Sequence, residues 1–300
     1  MKKMRHSQNA LQKPMLRWSW FFLLPMVSAF AVGFVWPFIQ GIYLSFCDFR
    51  LISDAKWVGL KNYVNVFRDT NFIRSFVYTA IFTVTSLAII NIFAFLVAYV
   101  LTLEIKGTNI FRTVFFMPNL IGGIVLGYIW SMIFDGILSK FGTSILQDPT
   151  WGFWGLIILL SWQQIGYMMI IYIAGLQAVP GDMLEAAKID GATSLQTLFR
   201  VIIPNVMPSI TICTFLSLTN GFKLFDQNLA LTGGLPFIIN PDGSVIKTTE
   251  MVALNIYSTF YGQGAAAPGF AQAKAVVFFI VVAAISLLQL SFTRKREVQQ

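Results

Sequence analysis

Charge is scarce in this sequence. Only 11% of its 300 residues are Asp, Glu, Lys or Arg, while 56% are hydrophobic. Water-soluble domains carry about 25% charged residues, so this chain lacks the polar surface to cover a soluble body. A mean hydropathy of +0.70 agrees. Histidine is also nearly absent. The one copy, His6, lies in the N-terminal tail and gives no basis for a histidine-built metal or catalytic centre. Two cysteines, Cys47 and Cys213, sit in or at the end of apolar runs. They supply no disulfide framework and read as packing residues. No Gly-x4-Gly-Lys-Ser/Thr phosphate loop occurs, so the chain does not hydrolyse ATP by that device. Nor is a nucleophile–base pair or a haem ligand set visible.

What is present is apolar chain in long blocks. A membrane helix needs about 20 mostly apolar residues. Six stretches free of Asp, Glu, Lys and Arg meet that length: Trp18–Cys47, Ser75–Leu103, Thr113–Phe134, Pro149–Gly181, Val201–Phe222 and Ala275–Thr293. The expected fold is an all-α integral membrane protein with six transmembrane helices. Residues 1–17 form a basic N-terminal tail, 18–293 the membrane domain and 294–300 a C-terminal tail. The tail resembles the start of a signal peptide, with Ala29-Phe30-Ala31 as a cleavage site, but the apolar run continues well past it. It reads as an uncleaved first span, with Pro25 and Pro37 bending it or marking its ends.

Six spans put both termini on one side. Taking that side as cytoplasmic assigns it 12 of the 21 basic residues but only 5 of the 13 acidic ones. That asymmetry fits the positive-inside rule. The net charge of +8 then reflects attraction to anionic lipid, not nucleic-acid binding. Of the longer outside segments, 48–74 mixes charge with Trp57, Tyr63 and Phe67 and reads as an interfacial amphipathic stretch. Residues 223–274 carry turn signals around a short helix near Thr249–Phe260.

Between the fourth and fifth spans lies a polar loop, residues 180–204. Asp182 and Glu185 suggest a helix start in which the short acid caps the first turn. Ala186 and Ala187 make a smooth surface that a partner could approach closely. Gly191 permits the positive φ of a sharp turn. Ser194 caps a second helix, Leu195–Ile203, and Pro204 re-enters the membrane. A loop of this kind is a docking device for a soluble protein.

Glu185-Ala186-Ala187, three residues, Gly191, nine residues and Val201-Ile202-Ile203-Pro204 together resemble the loop signature of the permease subunits of bacterial ABC importers, with Val and Ile in place of Ile and Leu. Further segments are similar to the carbohydrate-uptake branch: Trp57-Val58-Gly59-Leu60-Lys61-Asn62-Tyr63, Phe115-Phe116-Met117-Pro118, Ala174-Gly175-Leu176-Gln177, Asp190-Gly191-Ala192, Phe225-Asp226 and Leu231-Thr232-Gly233-Gly234. The resemblance implies a type I importer fold whose loop inserts into a groove on an ATPase subunit. Glu185, Ala186, Ala187 and Gly191 would make the contact and turn, supported by Asp190, Ala192 and Pro204. The implied function is ATP-driven, binding-protein-dependent import of a sugar, oligosaccharide or polyol across the cytoplasmic membrane by alternating access. The chain itself would be no enzyme and carry no cofactor. ATP and Mg would sit on two partner ATPases, beside a second homologous permease and an extracytoplasmic solute-binding protein. The alternatives are a glycerol-phosphate-type permease and a non-transporting membrane receptor that docks a cytoplasmic protein.

A sugar offers hydroxyls at its rim and C–H groups on its faces, so its site needs amides, acids and aromatic rings. Polar groups at membrane depth are costly and therefore informative. The candidates are Asn119, Tyr128, Trp130, Trp162, Gln163, Gln164 and Asn220, with Lys223 and Asp226 just past the fifth span. The competing reading is that the amides only hydrogen-bond between helices, and that Lys223 and Asp226 pair with each other.

Overall fold

A computed structural model describes residues 18–103, 106–240, 243, 245–262 and 267–295. Six helices in it are long and apolar enough to cross a membrane. They are α1 (Trp18–Ser45), α3 (Thr70–Leu101), α5 (Gly123–Phe141), α6 (Pro149–Gln177), α8 (Ser194–Phe222) and α11 (Pro268–Arg294). Shorter helices join them: α2 (Lys61–Arg68), α4 (Thr108–Phe116), α7 (Gly181–Ile189), α9 (Asp226–Leu231) and α10 (Val252–Tyr261). Two small antiparallel ribbons complete the described chain. Strand β1 (Cys47–Asp48) pairs with β2 (Lys56–Trp57), and β3 (Phe237–Ile239) with β4 (Val245–Lys247).

Helix α6 is the axis of the bundle. Asp148 caps it by accepting from the Thr150 amide at 2.7 Å, and Pro149 occupies the first turn, where no amide hydrogen is needed. It is the most buried of the spans, with one face, Trp151, Trp154, Ile158 and Trp162, left partly exposed. Leu156, Leu159, Leu160, Met168 and Met169 are fully buried against Phe82 and Ile90 of α3 and Cys213 of α8. Gly166 lets α6 pass against the end of α4, since a Cβ there would lie 1.8 Å from the Phe115 carbonyl oxygen. Three spans are also joined by polar groups. Tyr172 Oη of α6 donates to Asn91 Oδ1 of α3 at 2.7 Å, and Asn91 Nδ2 donates to Ser217 Oγ of α8 at 3.1 Å.

The third span departs from the sequence expectation. Thr113–Phe134 is not one helix. Helix α4 ends at Phe116, a 3-10 turn covers Met117–Leu120, and Ile121 and Gly122 are extended before α5 begins at Gly123. Pro118 and Gly122 break the helix, and neither registers in a search for missing charge. The span then runs on past Asp135, which the same search took as its end. Likewise α11 begins at Pro268, seven residues before the expected Ala275, and includes Lys274. The first and fourth spans end early, at Ser45 and Gln177, the second is shifted to Thr70–Leu101, and the fifth begins early, at Ser194 instead of Val201. In α1 a π-helical turn, Ala31–Val35, ends two residues before Pro37. As expected, α2 is a surface helix, burying Asn62 and Val66.

Candidate functional site

The α7 loop forms by local rules. Pro180 precedes α7, and Asp182 stands inside its first turn without capping it. A carboxylate there still favours the helix N-terminus electrostatically. Gly191 has φ +73°, a left-handed conformation that reverses the chain. The next cap is Thr193, not Ser194. Its Oγ1 accepts from the Gln196 amide at 3.3 Å, and Gln196 Oε1 accepts from the Thr193 amide at 2.8 Å. The expected separate helix Leu195–Ile203 is instead the start of α8. It continues through a π-helical turn, Leu198–Ile202, and past Pro204 to Phe222 without a break.

Glu185, Ala186, Asp190 and Gly191 are exposed, whereas Ala187, Ala192 and Pro204, the last within α8, are half-buried. Around them Ile189, Leu195 and Phe199 are 85%, 67% and 64% exposed. Large apolar side chains thus stand exposed beside the charged residues of the loop.

A polar cavity of about 260 Å³ opens between α6, α8 and α9. Gln164, Asn220, Lys223 and Asp226 line it, together with Phe225 and Gln227. Asn220 Nδ2 donates to Gln164 Oε1 at 3.4 Å. Gln163 is buried beside this cavity as a strut. Its Nε2 donates to the Ile121 carbonyl at 3.1 Å, at the break before α5, and its Oε1 accepts from Gln227 Nε2 at 2.7 Å. Asn119 is half-buried on the 3-10 turn near that break. Lys223 and Asp226 do not pair. The ion pairs among the described residues are Lys247–Glu250 and Lys274–Asp69. Lys223 ends α8 and Asp226 opens α9, so the bend between the two helices removes the i,i+3 geometry of a continuous helix.

The aromatic candidates lie elsewhere. Trp130 and Trp162 meet edge to face at 5.6 Å on the α5–α6 seam, and Tyr128 is 63% exposed on α5. The structure therefore divides the predicted set into a polar cavity and a tryptophan pair.

Sequence reading missed two features. One is the seat of α9. A Cβ on Gly127 would lie 2.5 Å from that of Ala230, and one on Gly123 would lie 2.8 Å from that of Asp226. These glycines, spaced as small-x-x-x-small, let α9 sink against α5 and aim Asp226 and Gln227 into the cavity. Their spacing was the available signal. The other is Lys274, buried in α11. Its Nζ lies 2.7 Å from Asp69 Oδ2 and donates to Asn255 Oδ1 and Thr259 Oγ1, both at 2.9 Å. The Phe270 ring centroid is 4.6 Å away. Asn255 in turn donates to Glu250 Oε2 at 2.8 Å, and Glu250 Oε1 accepts from Ser258 at 3.1 Å and Lys247 at 3.4 Å. Asp69 also caps α3 through its other oxygen. One network thus fastens α3, α10 and α11 together.

Known proteins share both sequence and shape with this chain. It is 41% identical over 290 residues to the probable starch degradation products transport system permease protein AmyD of Thermoanaerobacterium thermosulfurigenes, covering 94% of this chain and 96% of that one. It is 31% identical to the multiple sugar-binding transport system permease protein MsmF of Streptococcus mutans, covering 94% and 97%. A solved bacterial ABC transporter involved in import of the acidic polysaccharide alginate contains a chain of the same fold. Its TM-score is 0.76 at 21% identity, with 95% of this chain and 99% of that chain covered. The family described as the inner membrane component of binding-protein-dependent transport systems matches residues 71–297. With six spans, a type I importer fold and this match over most of its length, the chain belongs to that family of multi-pass permeases.

Proposed function

We propose that this chain is one membrane subunit of an ATP-driven importer that moves a carbohydrate, with starch-derived oligosaccharides the favoured class. The name of the 41% identical relative supports the substrate, and the amide-and-carboxylate cavity supplies groups suited to hydroxyls. Gln164, Asn220, Lys223 and Asp226 take the sugar rim in this reading. Gln163 and Asn119 hold the wall, and Trp130, Trp162 and Tyr128 stand on the adjacent α5–α6 face.

The observation that carries the ATP-driven reading is the α7 loop, which leaves Ile189, Leu195 and Phe199 exposed around Glu185. A separate ATPase subunit covers them. Glu185 gives it a charge-assisted bond, Ala186 and Ala187 allow close approach, and Asp190, Gly191, Ala192 and Pro204 fix the turn. Two such ATPases hold ATP and Mg, a second homologous permease completes the pathway, and a solute-binding protein delivers the sugar from outside. The loop at 180–204 and the tails at 1–17 and 294–300 face the cytoplasm, with 18–293 as the permease domain. ATP binding closes the ATPase pair, the loop moves with it, and the bundle exchanges inward- and outward-open arrangements.

The test is Glu185→Lys in the complete importer. The variant is expected to insert and accumulate normally, to lose co-purifying ATPase and to abolish sugar uptake. Normal ATPase recovery with normal uptake would reject the docking role. Labelling of a cysteine placed at residue 189 by an impermeant reagent outside intact cells would invert the topology.

A further inference from the structure

The polar cavity is small for an oligosaccharide. Pockets that enclose drug-sized ligands occupy about 300–1,000 Å³, against about 260 Å³ here. Any chain of several sugars must therefore leave most of its length outside it. Phe225 lines this cavity and belongs to a run of rings that leads away from it. The Phe225 and Tyr257 centroids are 5.1 Å apart, and those of Tyr257 and Tyr261 are 4.9 Å apart. Tyr257 and Tyr261 share one face of α10, being four residues apart. They are 42% and 66% exposed. Successive rings are tilted by 55° and 45° and so do not stack on one another. Tyr261 also packs against Phe260 at 4.7 Å, Phe225 is half-buried, and the exposed parts of the two tyrosines are what a ligand can reach. The Lys274–Asn255–Glu250 network fixes the helix that carries them.

We propose that Phe225, Tyr257 and Tyr261 form a stacking track for the sugars of a linear oligosaccharide that the cavity does not enclose. The apolar faces of the sugar rings lie on the aromatic rings, while the terminal sugar is held by the amides and charges of the cavity. This rests on the carbohydrate reading above. Tyrosines near a membrane surface also serve as interfacial anchors, and an anchor does not distinguish a long ligand from a short one.

The experiment measures uptake of radiolabelled maltose and maltotetraose, each at limiting concentration, by cells carrying the complete importer. Tyr261→Ala, Tyr257→Ala and the matching Tyr→Phe variants are compared at equal membrane abundance. Tyr261→Ala is expected to lower the maltotetraose-to-maltose uptake ratio by about fivefold, the scale of one lost ring contact. Tyr257→Ala lowers it by at least as much, and the Phe variants keep the parental ratio. An unchanged ratio, whether both uptakes fall together or neither does, overturns the track and identifies the rings as anchors or packing. A parent importer that carries maltose alone overturns the track and leaves the carbohydrate reading intact. A parent that carries neither glucan rejects the starch-type substrate itself, and the track with it.

Discussion

At the α10 end of the bundle, Lys274 is 3% exposed in its side chain and directs its ammonium at Asp69, Asn255 and Thr259. At the α7 end, Glu185 and Asp190 are exposed, with Ile189 and Phe199 held out beside them. The first end pairs Lys274, Asp69, Asn255 and Glu250 within the chain. The second leaves its charged and apolar groups exposed, and in the proposed reading an ATPase subunit covers them. In a protein built from apolar helices, the position of the few charges separates the part that holds itself together from the part proposed to transmit. Substitutions at the first end should lower stability, and those at the second should stop function in a protein that stays folded.

The largest stability loss is expected for Lys274→Met. It leaves Asp69 without its cation and should cost about 3–5 kcal/mol, read as survival of monodisperse protein after heating in detergent. Adding Asp69→Asn should recover part of the loss. A double variant as unstable as the sum of the two single ones would show that the charges are not coupled. Next comes Gly166→Leu at the α4–α6 crossing, where backbone meets backbone and no side chain can swing aside. About 3 kcal/mol is expected. Asn91→Leu removes the partner of Tyr172 and Ser217 and should cost about 1 kcal/mol, because hydrogen bonds between membrane helices are individually modest. Glu185→Lys lies at the bottom of the stability scale, within about 0.5 kcal/mol of the parent, yet uptake should fall to background. Loss of thermal survival in that variant would erase the contrast between the two ends.

How much of this was legible in the sequence depends on what each element is made of. The spans starting at Trp18 and Pro149 were visible because apolar length alone defines them. The break at Ile121-Gly122 was not, since Pro118 and Gly122 interrupt a helix without adding charge. Lys274 was excluded from its own span by the rule that found the others. A buried lysine is tolerated there because Asp69, distant in sequence, meets it, and pairing between distant residues leaves no local trace. The α7 turn was readable because Gly191 carries its left-handed conformation itself, whereas the choice of Thr193 over Ser194 as cap turned on Gln196 reaching back. Of the solute candidates, Gln164, Asn220, Lys223 and Asp226 do converge. The tryptophans do not join them, because consecutive residues on a helix face different directions and Trp162 is turned away from Gln164.

Helix α8 runs from the exposed α7 loop to the polar cavity as one piece, but its hydrogen-bond ladder is uneven. The π-helical turn at Leu198–Ile202 falls in its first half and Pro208 at its midpoint, whereas Thr211–Phe222 is regular. Interruptions of this kind are where helices bend. A displacement of residues 185–200 should therefore arrive at Asn220 as a swing of the stiff upper portion about a compliant foot. The cavity wall would change its tilt while its own internal geometry stays intact.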